Sequence, residues 1–119
     1  MEQKYQIGNE YGNIMWDVSK ILHDKDHFKI VMCDVNDLSQ NNTFNGNGCH
    51  IMSTDISQPV IVVQLSNDKY KLIDGNHRLQ KALRLGIKEV PAYILSFEEH
   101  AKYIIDFDEQ IYHDVVHHW

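Results

Sequence analysis

Tyr70–Leu95, YKLIDGNHRLQKALRLGIKEVPAYIL, is the stretch whose reading decides the fold. Tyr70, Leu72 and Ile73 read as a short strand. Asp74-Gly75 then supplies a sharp turn, where glycine reaches backbone angles that other residues resist. From Asn76 the period changes: Leu79, Ala82, Leu83 and Leu85 make an apolar stripe while Gln80, Lys81 and Arg84 face water, which predicts a helix. Gly86 ends that helix, and Val90-Pro91-Ala92-Tyr93-Ile94-Leu95 resumes as a strand.

The turn carries the chemistry. Asn76 is the expected N-cap, which leaves the first free N–H groups of the helix and the positive end of its dipole pointing out of the turn. That arrangement suits an anion. His77 and Arg78 stand in the same first turn, and the planar guanidinium fork fits phosphate oxygens. Asp74 puts a carboxylate at the rim, so the expected site is a phosphate pocket with an acid beside it. The plainer reading is a tight turn, a cap and two solvated side chains.

Working outward, Pro59 to Leu65 is the most buried-looking strand, and Ser66-Asn67-Asp68 reads as a hairpin turn leading into Tyr70. Phe28 to Cys33 predicts a further strand. Ile14, Val18, Ile21 and Leu22 have helical spacing, which predicts a helix over Ile14–His23. Residues 1–13 read as an irregular lead-in. Residues 39–57, rich in Ser, Asn and Gly, read as a long loop able to fold over the anion pocket as a lid. Downstream, Ser96-Phe97-Glu98-Glu99 matches a capping box for a helix to about Ile105, and Asp106-Phe107-Asp108 precedes a second helix over Glu109–His118. Residues 96–119 thus form a C-terminal helical segment, whose apolar stripe is either core or the face of a homodimer. Strands and helices in this order make an α+β fold, a small curved mixed sheet flanked by helices, in one domain over residues 1–119.

The run Asp74-Gly75-Asn76-His77-Arg78-Leu79, with Lys81-Ala82, Gly86 and Val90-Pro91-Ala92 in order after it, resembles the signature of the ParB/sulfiredoxin superfamily in its small single-domain form. Gln58-Pro59-Val60-Ile61-Val62-Val63 is similar to the strand that precedes it, and residues 28–95 can be laid along that fold. The resemblance implies that Gly75, Asn76, His77 and Arg78 bind nucleotide phosphates. It also sets a departure: sulfiredoxins carry their catalytic cysteine where this chain has Asn76, and asparagine cannot be that nucleophile. Partition proteins of the family bind CTP at the matching loop and carry a helix-turn-helix domain, which this chain does not show. The small relatives with this motif imply a nucleotide-binding protein using ATP, ADP or CTP with Mg²⁺, in phosphoryl transfer or nucleotide hydrolysis on a small-molecule or protein acceptor.

Roles then follow from chemistry. Arg78 and the helix N–H groups would hold phosphate oxygens. His77 would bind phosphate or donate a proton, and Asp74 would bind Mg²⁺ or act as a base. Asp34 and Asp37 are candidates for a second acid. Two rival readings come from other classes, a DNA-binding or nuclease module of ParB type and a non-catalytic interaction scaffold.

Composition bounds these readings. The 119 residues carry a formal net charge of −6, which argues against DNA as a partner because affinity for DNA rests on Lys and Arg. A local basic patch of Lys69, Lys71, Arg78, Lys81, Arg84 and Lys88 stands against that sum. No apolar run approaches the ~20 residues that span a bilayer and no signal-peptide core is present, so a cytoplasmic protein is expected. Two free thiols, Cys33 and Cys49, are preferred over a disulfide in that setting. Among eight histidines, His113 and His117 lie four apart near His118 and Asp114; without a Cys/His framework they read as a solvated helix end.

Overall fold

The computed structural model describes residues 3–39, 43–44, 49–51 and 58–119, the side chains of 43–44 and 49–51 excepted. In chain order the elements are β1 (Lys4–Asn9), β2 (Gly12–Asp17), α1 (Val18–His23), β3 (Ile30–Asp34), α2 (Val35–Ser39), β4 (Thr43–Phe44), β5 (Cys49–Ile51), β6 (Val60–Ser66), β7 (Lys69–Asp74), α3 (Asn76–Leu85), β8 (Glu89–Leu95), α4 (Phe97–His100) and α5 (Glu109–His117). The fold is α+β. Six strands form one mixed open sheet in the order β4-β7-β6-β8-β3-β5, and β1 with β2 forms a separate hairpin.

The sheet is built around β6. Its run Val60-Ile61-Val62-Val63 is continuous in hydrophobicity because both faces are covered, the signature of a central strand. Val60 and Val62 pack with Leu72, Leu79, Ala82 and Ala92 on the α2–α3 side. Ile61, Val63 and Leu65 pack with Ile14, Trp16, Ile21, Tyr112 and Val115 on the other. Each fully buried aliphatic side chain of this kind contributes roughly 1.5–3 kcal/mol. β7 returns antiparallel to β6, α3 crosses over, and β8 then runs parallel to β6 on its other side. That crossover places the 74–78 turn at one end of the central strands.

Several expectations are corrected. Within the expected lead-in, residues 4–13 are no irregular segment: β1 and β2 pair in register from Lys4↔Asp17 to Asn9↔Gly12, and Ile7, Ile14 and Trp16 are buried. The helix expected from Ile14 starts only at Val18, where the Asp17 carboxylate accepts from the Lys20 N–H. The helical spacing of Ile14 and Val18 straddles a strand–helix junction. Within 39–57, β4 pairs with β7 and β5 with β3, while the lid reading falls outside the described residues. The cysteine expectation is also overturned: Cys33 is disulfide-bonded, and the register sets it opposite the chain's other cysteine, Cys49.

At the C-terminus both capping signals hold. Ser96 Oγ accepts from Glu99 N–H while Ser96 N–H donates to Glu99 Oε1 at 2.9 Å, and Asp108 caps α5 through Ile111 N–H. The first helix stops well before Ile105, because Ile105 N–H donates to the Met15 carbonyl at 2.8 Å and Ile104 bridges Trp16. The apolar stripe of α5, Tyr112, Val115 and Val116, is buried in this chain's own core, and the Tyr112 hydroxyl donates to the Leu65 carbonyl at 2.8 Å. No helix among the described residues is long and apolar enough to cross a membrane.

His100 is fully buried and satisfied at both ring nitrogens. Trp16 Nε1–H donates to Nδ1 at 3.1 Å, so Nε2 carries the proton and donates to the Gln64 carbonyl at 2.8 Å. Burial pushes its pKa down to about 4, outweighing the Gln64 bond. Above pH ~6.5 the imidazole is neutral in both folded and unfolded chains, and its contribution is complete. As pH falls from about 6.5 to about 4, the unfolded chain takes up a proton that the folded chain refuses. Urea midpoints should therefore decline through that window by roughly 3 kcal/mol of stability. In His100→Gln that segment of the decline should vanish, on a lower plateau at neutral pH. A pH profile unchanged by the substitution would contradict this role.

Candidate functional site

The 74–78 turn forms one wall of a cleft of about 550 Å³, with Gln3, Lys4 and Tyr5 of the N-terminal hairpin on the wall opposite. Why the chain turns so sharply is set by glycine. Gly75 has φ +100°, and a Cβ there would stand 2.4 Å from Val60 Cγ1 and 3.0 Å from Arg78 Nη2. The turn is thereby pressed against the start of β6.

Gly75, not Asn76, is the N-cap of α3; this corrects the expectation. Asn76 is the first helical residue, and no side chain caps the helix. The Gly75 carbonyl accepts from Leu79 N–H at 3.0 Å, so the N–H groups of Asn76, His77 and Arg78 are those that a helix start leaves unpaired. They belong to residues lining the cleft. Asn76 and His77 are exposed; Asp74, Gly75 and Arg78 are half-buried.

Arg78 is held rather than mobile. Its Nη2 donates to the Pro59 carbonyl at 3.0 Å and reaches Asp74 Oδ2 at 3.4 Å, while its Nε is buried and without a partner among the described residues. Asp74 is the one carboxylate among the described residues that line the cleft, and it faces that guanidinium. Asp34 and Asp37 stand elsewhere, at the start of α2, where Asp34 Oδ1 accepts from Asp37 N–H at 3.0 Å and so caps the helix. The structure brings Asp74, Gly75, Asn76, His77 and Arg78 together and does not bring those two acids to them. Sequence reasoning missed the opposite wall. Its signal was the alternation of Tyr5, Ile7, Ile14 and Trp16 about the turn residues Asn9 to Gly12.

Comparison with known proteins fits this geometry. The ParB N-terminal domain family matches residues 49–111, which takes in β5 through the start of α5 and the whole turn. The chain belongs to that family. Over 49 residues this ParB-type domain is 37% identical to the nucleoid occlusion proteins of Bacillus thuringiensis (strain Al Hakam), Bacillus mycoides (strain KBAB4) and Bacillus cereus (strain B4264). The match covers 41% of this chain and 17% of each relative, so it spans about a sixth of their length. No solved structure matches the chain.

The family overturns the expectation that DNA is not a partner, since the relatives' own name refers to the nucleoid. The expectation summed charge over the whole chain. Locally, the ParB-type domain carries Arg78, Lys81, Arg84 and Lys88 between Gly75 and Lys88 with no Asp or Glu among them. Lys81, Arg84 and Lys88 are exposed and have no ion pair among the described residues.

The close approach at Gly75 gives a direct check. Gly75→Ala adds a methyl group against Val60 at a backbone angle that L-residues rarely adopt, which should cost roughly 2–4 kcal/mol in urea denaturation. A Gly86→Ala control meets open space at φ +74° and should cost clearly less, about 1 kcal/mol. Equal losses at the two glycines would show that the Val60 contact is not what fixes the turn.

Proposed function

We propose that this ParB-type domain works on DNA and holds the phosphate groups of a nucleotide at the 74–78 turn. The observation that carries the nucleotide reading is the composition of the cleft wall. The first-turn N–H groups of α3 lack a side-chain cap and stand beside an anchored arginine whose Nε is an unpartnered buried polar atom. Fixed donors of this kind suit phosphate oxygens. Gly75, Asn76, His77 and Arg78 would hold the phosphates.

With Asp74 as the single carboxylate among the described residues that line the cleft, and that carboxylate turned to Arg78, the residues favour holding a nucleotide over turning it over. A Mg²⁺ ion brought in with the phosphates would have Asp74 as its protein ligand and otherwise keep waters. Asp74 would then exchange its arginine partner for the metal. His77, exposed at the rim, would contact a terminal phosphate.

The DNA reading rests on family membership together with the charge pattern of α3. At 100° per residue, His77, Lys81 and Arg84 fall within a narrow sector of the solvent face. Three cationic or protonatable groups on two helical turns make a modest, salt-sensitive contact with a phosphate backbone.

Both readings are open to one set of measurements. A fluorescent duplex should bind the wild type and lose roughly 10–40-fold in affinity between 50 and 200 mM salt, as expected for two to three phosphate contacts. Lys81→Glu/Arg84→Glu should weaken binding at low salt by at least 10-fold; unchanged affinity would remove α3 from the DNA contact. For the cleft, ATP, ADP and CTP with Mg²⁺ should be screened by melting temperature and by phosphate release. A nucleotide at ~100 times its dissociation constant should stabilise the fold by about 2.7 kcal/mol. Arg78→Lys should reduce that stabilisation without affecting DNA affinity, whereas His77→Ala, on the same face as Lys81 and Arg84, should reduce both. Melting curves indifferent to every nucleotide would overturn the phosphate site.

A further inference from the structure

Building on the phosphate reading of the 74–78 turn, we infer that the N-terminal hairpin forms the base end of the same cleft. Tyr5 stacks on a nucleobase there, and the Gln3 carboxamide hydrogen-bonds its edge. The ligand class is then a nucleotide rather than a bare polyphosphate. At about 550 Å³ the cleft falls within the roughly 300–1,000 Å³ of pockets that take whole small molecules, so it has room for more than phosphate groups.

The lining is divided in the same sense. Asp74 to Arg78 make one end polar, whereas Val18, Leu72 and Ile73 line the cleft as buried aliphatic side chains. Tyr5 is the one Phe, Tyr or Trp among the described residues of that lining, and it is half-buried, with surface left to offer. An aromatic face suits any base, and loss of such a stack weakens binding by roughly 5- to 150-fold.

Both side chains are placed by the fold. Tyr5 pairs with the buried Trp16 in the β1–β2 register and packs against the core that holds Ile7 and Ile14. The Lys71 ammonium, itself buried, lies over the Tyr5 ring, 5.7 Å from its centroid. The Gln3 carbonyl accepts from the Val18 N–H at 2.9 Å and the Ser19 N–H at 3.2 Å, and the Gln3 N–H donates to Ser19 Oγ. Its backbone is thus fastened to the start of α1, while its exposed carboxamide has no hydrogen bond among the described residues. A carboxamide offers a donor and an acceptor side by side, as base edges require. Gln3 and Tyr5 lie outside residues 49–111, so this end of the cleft is not part of the ParB N-terminal domain match.

Calorimetry on the full chain with Mg²⁺ tests the base end by comparing ATP, CTP and sodium tripolyphosphate, which share three phosphates. At least one of the two nucleotides should bind 10-fold or more tighter than tripolyphosphate. Tyr5→Leu, apolar but without a ring, should lower nucleotide affinity by about 5-fold or more and leave tripolyphosphate affinity unchanged, whereas Tyr5→Phe should keep both. Gln3→Ala should weaken the nucleotide by a smaller factor. Arg78→Lys should weaken all three ligands alike. Circular dichroism and ligand-free melting curves report whether each variant folds, and the wild-type comparison needs no variant. Tripolyphosphate bound as tightly as both nucleotides, or a nucleotide advantage untouched in folded Tyr5→Leu, would overturn the base end and leave the phosphate site standing. Binding of none of the three ligands would overturn both.

Discussion

The contact between Gly75 and Val60 is the constraint on which the rest depends. A strand buried on both faces meets a turn that has no room for a side chain, and the guanidinium of Arg78, three residues on, reaches back to the Pro59 carbonyl. Fold and site are therefore one construction. Hydrophobic burial fixes β6, β6 fixes the turn, and the turn fixes where the uncapped end of α3 points. A change at Gly75 would disturb core packing and the proposed phosphate-binding surface together. Changes at the exposed His77 would touch only the second.

The central unit was legible because local and tertiary preferences agree there. The Val60–Val63 run, the Asp74-Gly75 turn, the Leu79/Ala82 stripe and the Gly86 stop each suit the place they occupy. The capping signals at Ser96 and Asp108 were legible for the same reason, since a cap is a contact within three residues. The N-terminal hairpin was obscured by a strand running straight into a helix, so that Ile14 and Val18 mimic one helical face. Glycine at the cap position hid behind an asparagine, the better cap by preference, because the tight approach to Val60 excludes any side chain at residue 75. Pairing of Cys33 depends on the β3–β5 register, and His100 on partners far along the chain; neither leaves a local trace.

Charge carries a similar lesson. A net charge of −6 describes the field at a distance, whereas a helix face meets its ligand at contact. Helix α3 carries Lys81 and Arg84 with no ion pair among the described residues, and no acid, so an acidic domain can still present a basic edge beside the turn proposed to bind an anion. The acids proposed from sequence to complete that site stand at the start of α2 instead, where the Asp34 carboxylate accepts from the Asp37 N–H and Asp37 Oδ2 is buried without a partner among the described residues. Their absence from the cleft wall moves the physical case from phosphoryl transfer toward ligand binding.

The central claim is that the uncapped start of α3 receives phosphate oxygens. Amide chemical shifts of the ¹⁵N-labelled protein, titrated with pyrophosphate and then with the nucleotide that most raises the melting temperature, test it most directly. The account predicts saturable shifts led by the N–H groups of Gly75, Asn76, His77 and Arg78, with Gln3 to Tyr5 following only for the larger ligand. Shifts centred on another surface, or a turn that stays silent while the nucleotide binds, would contradict it.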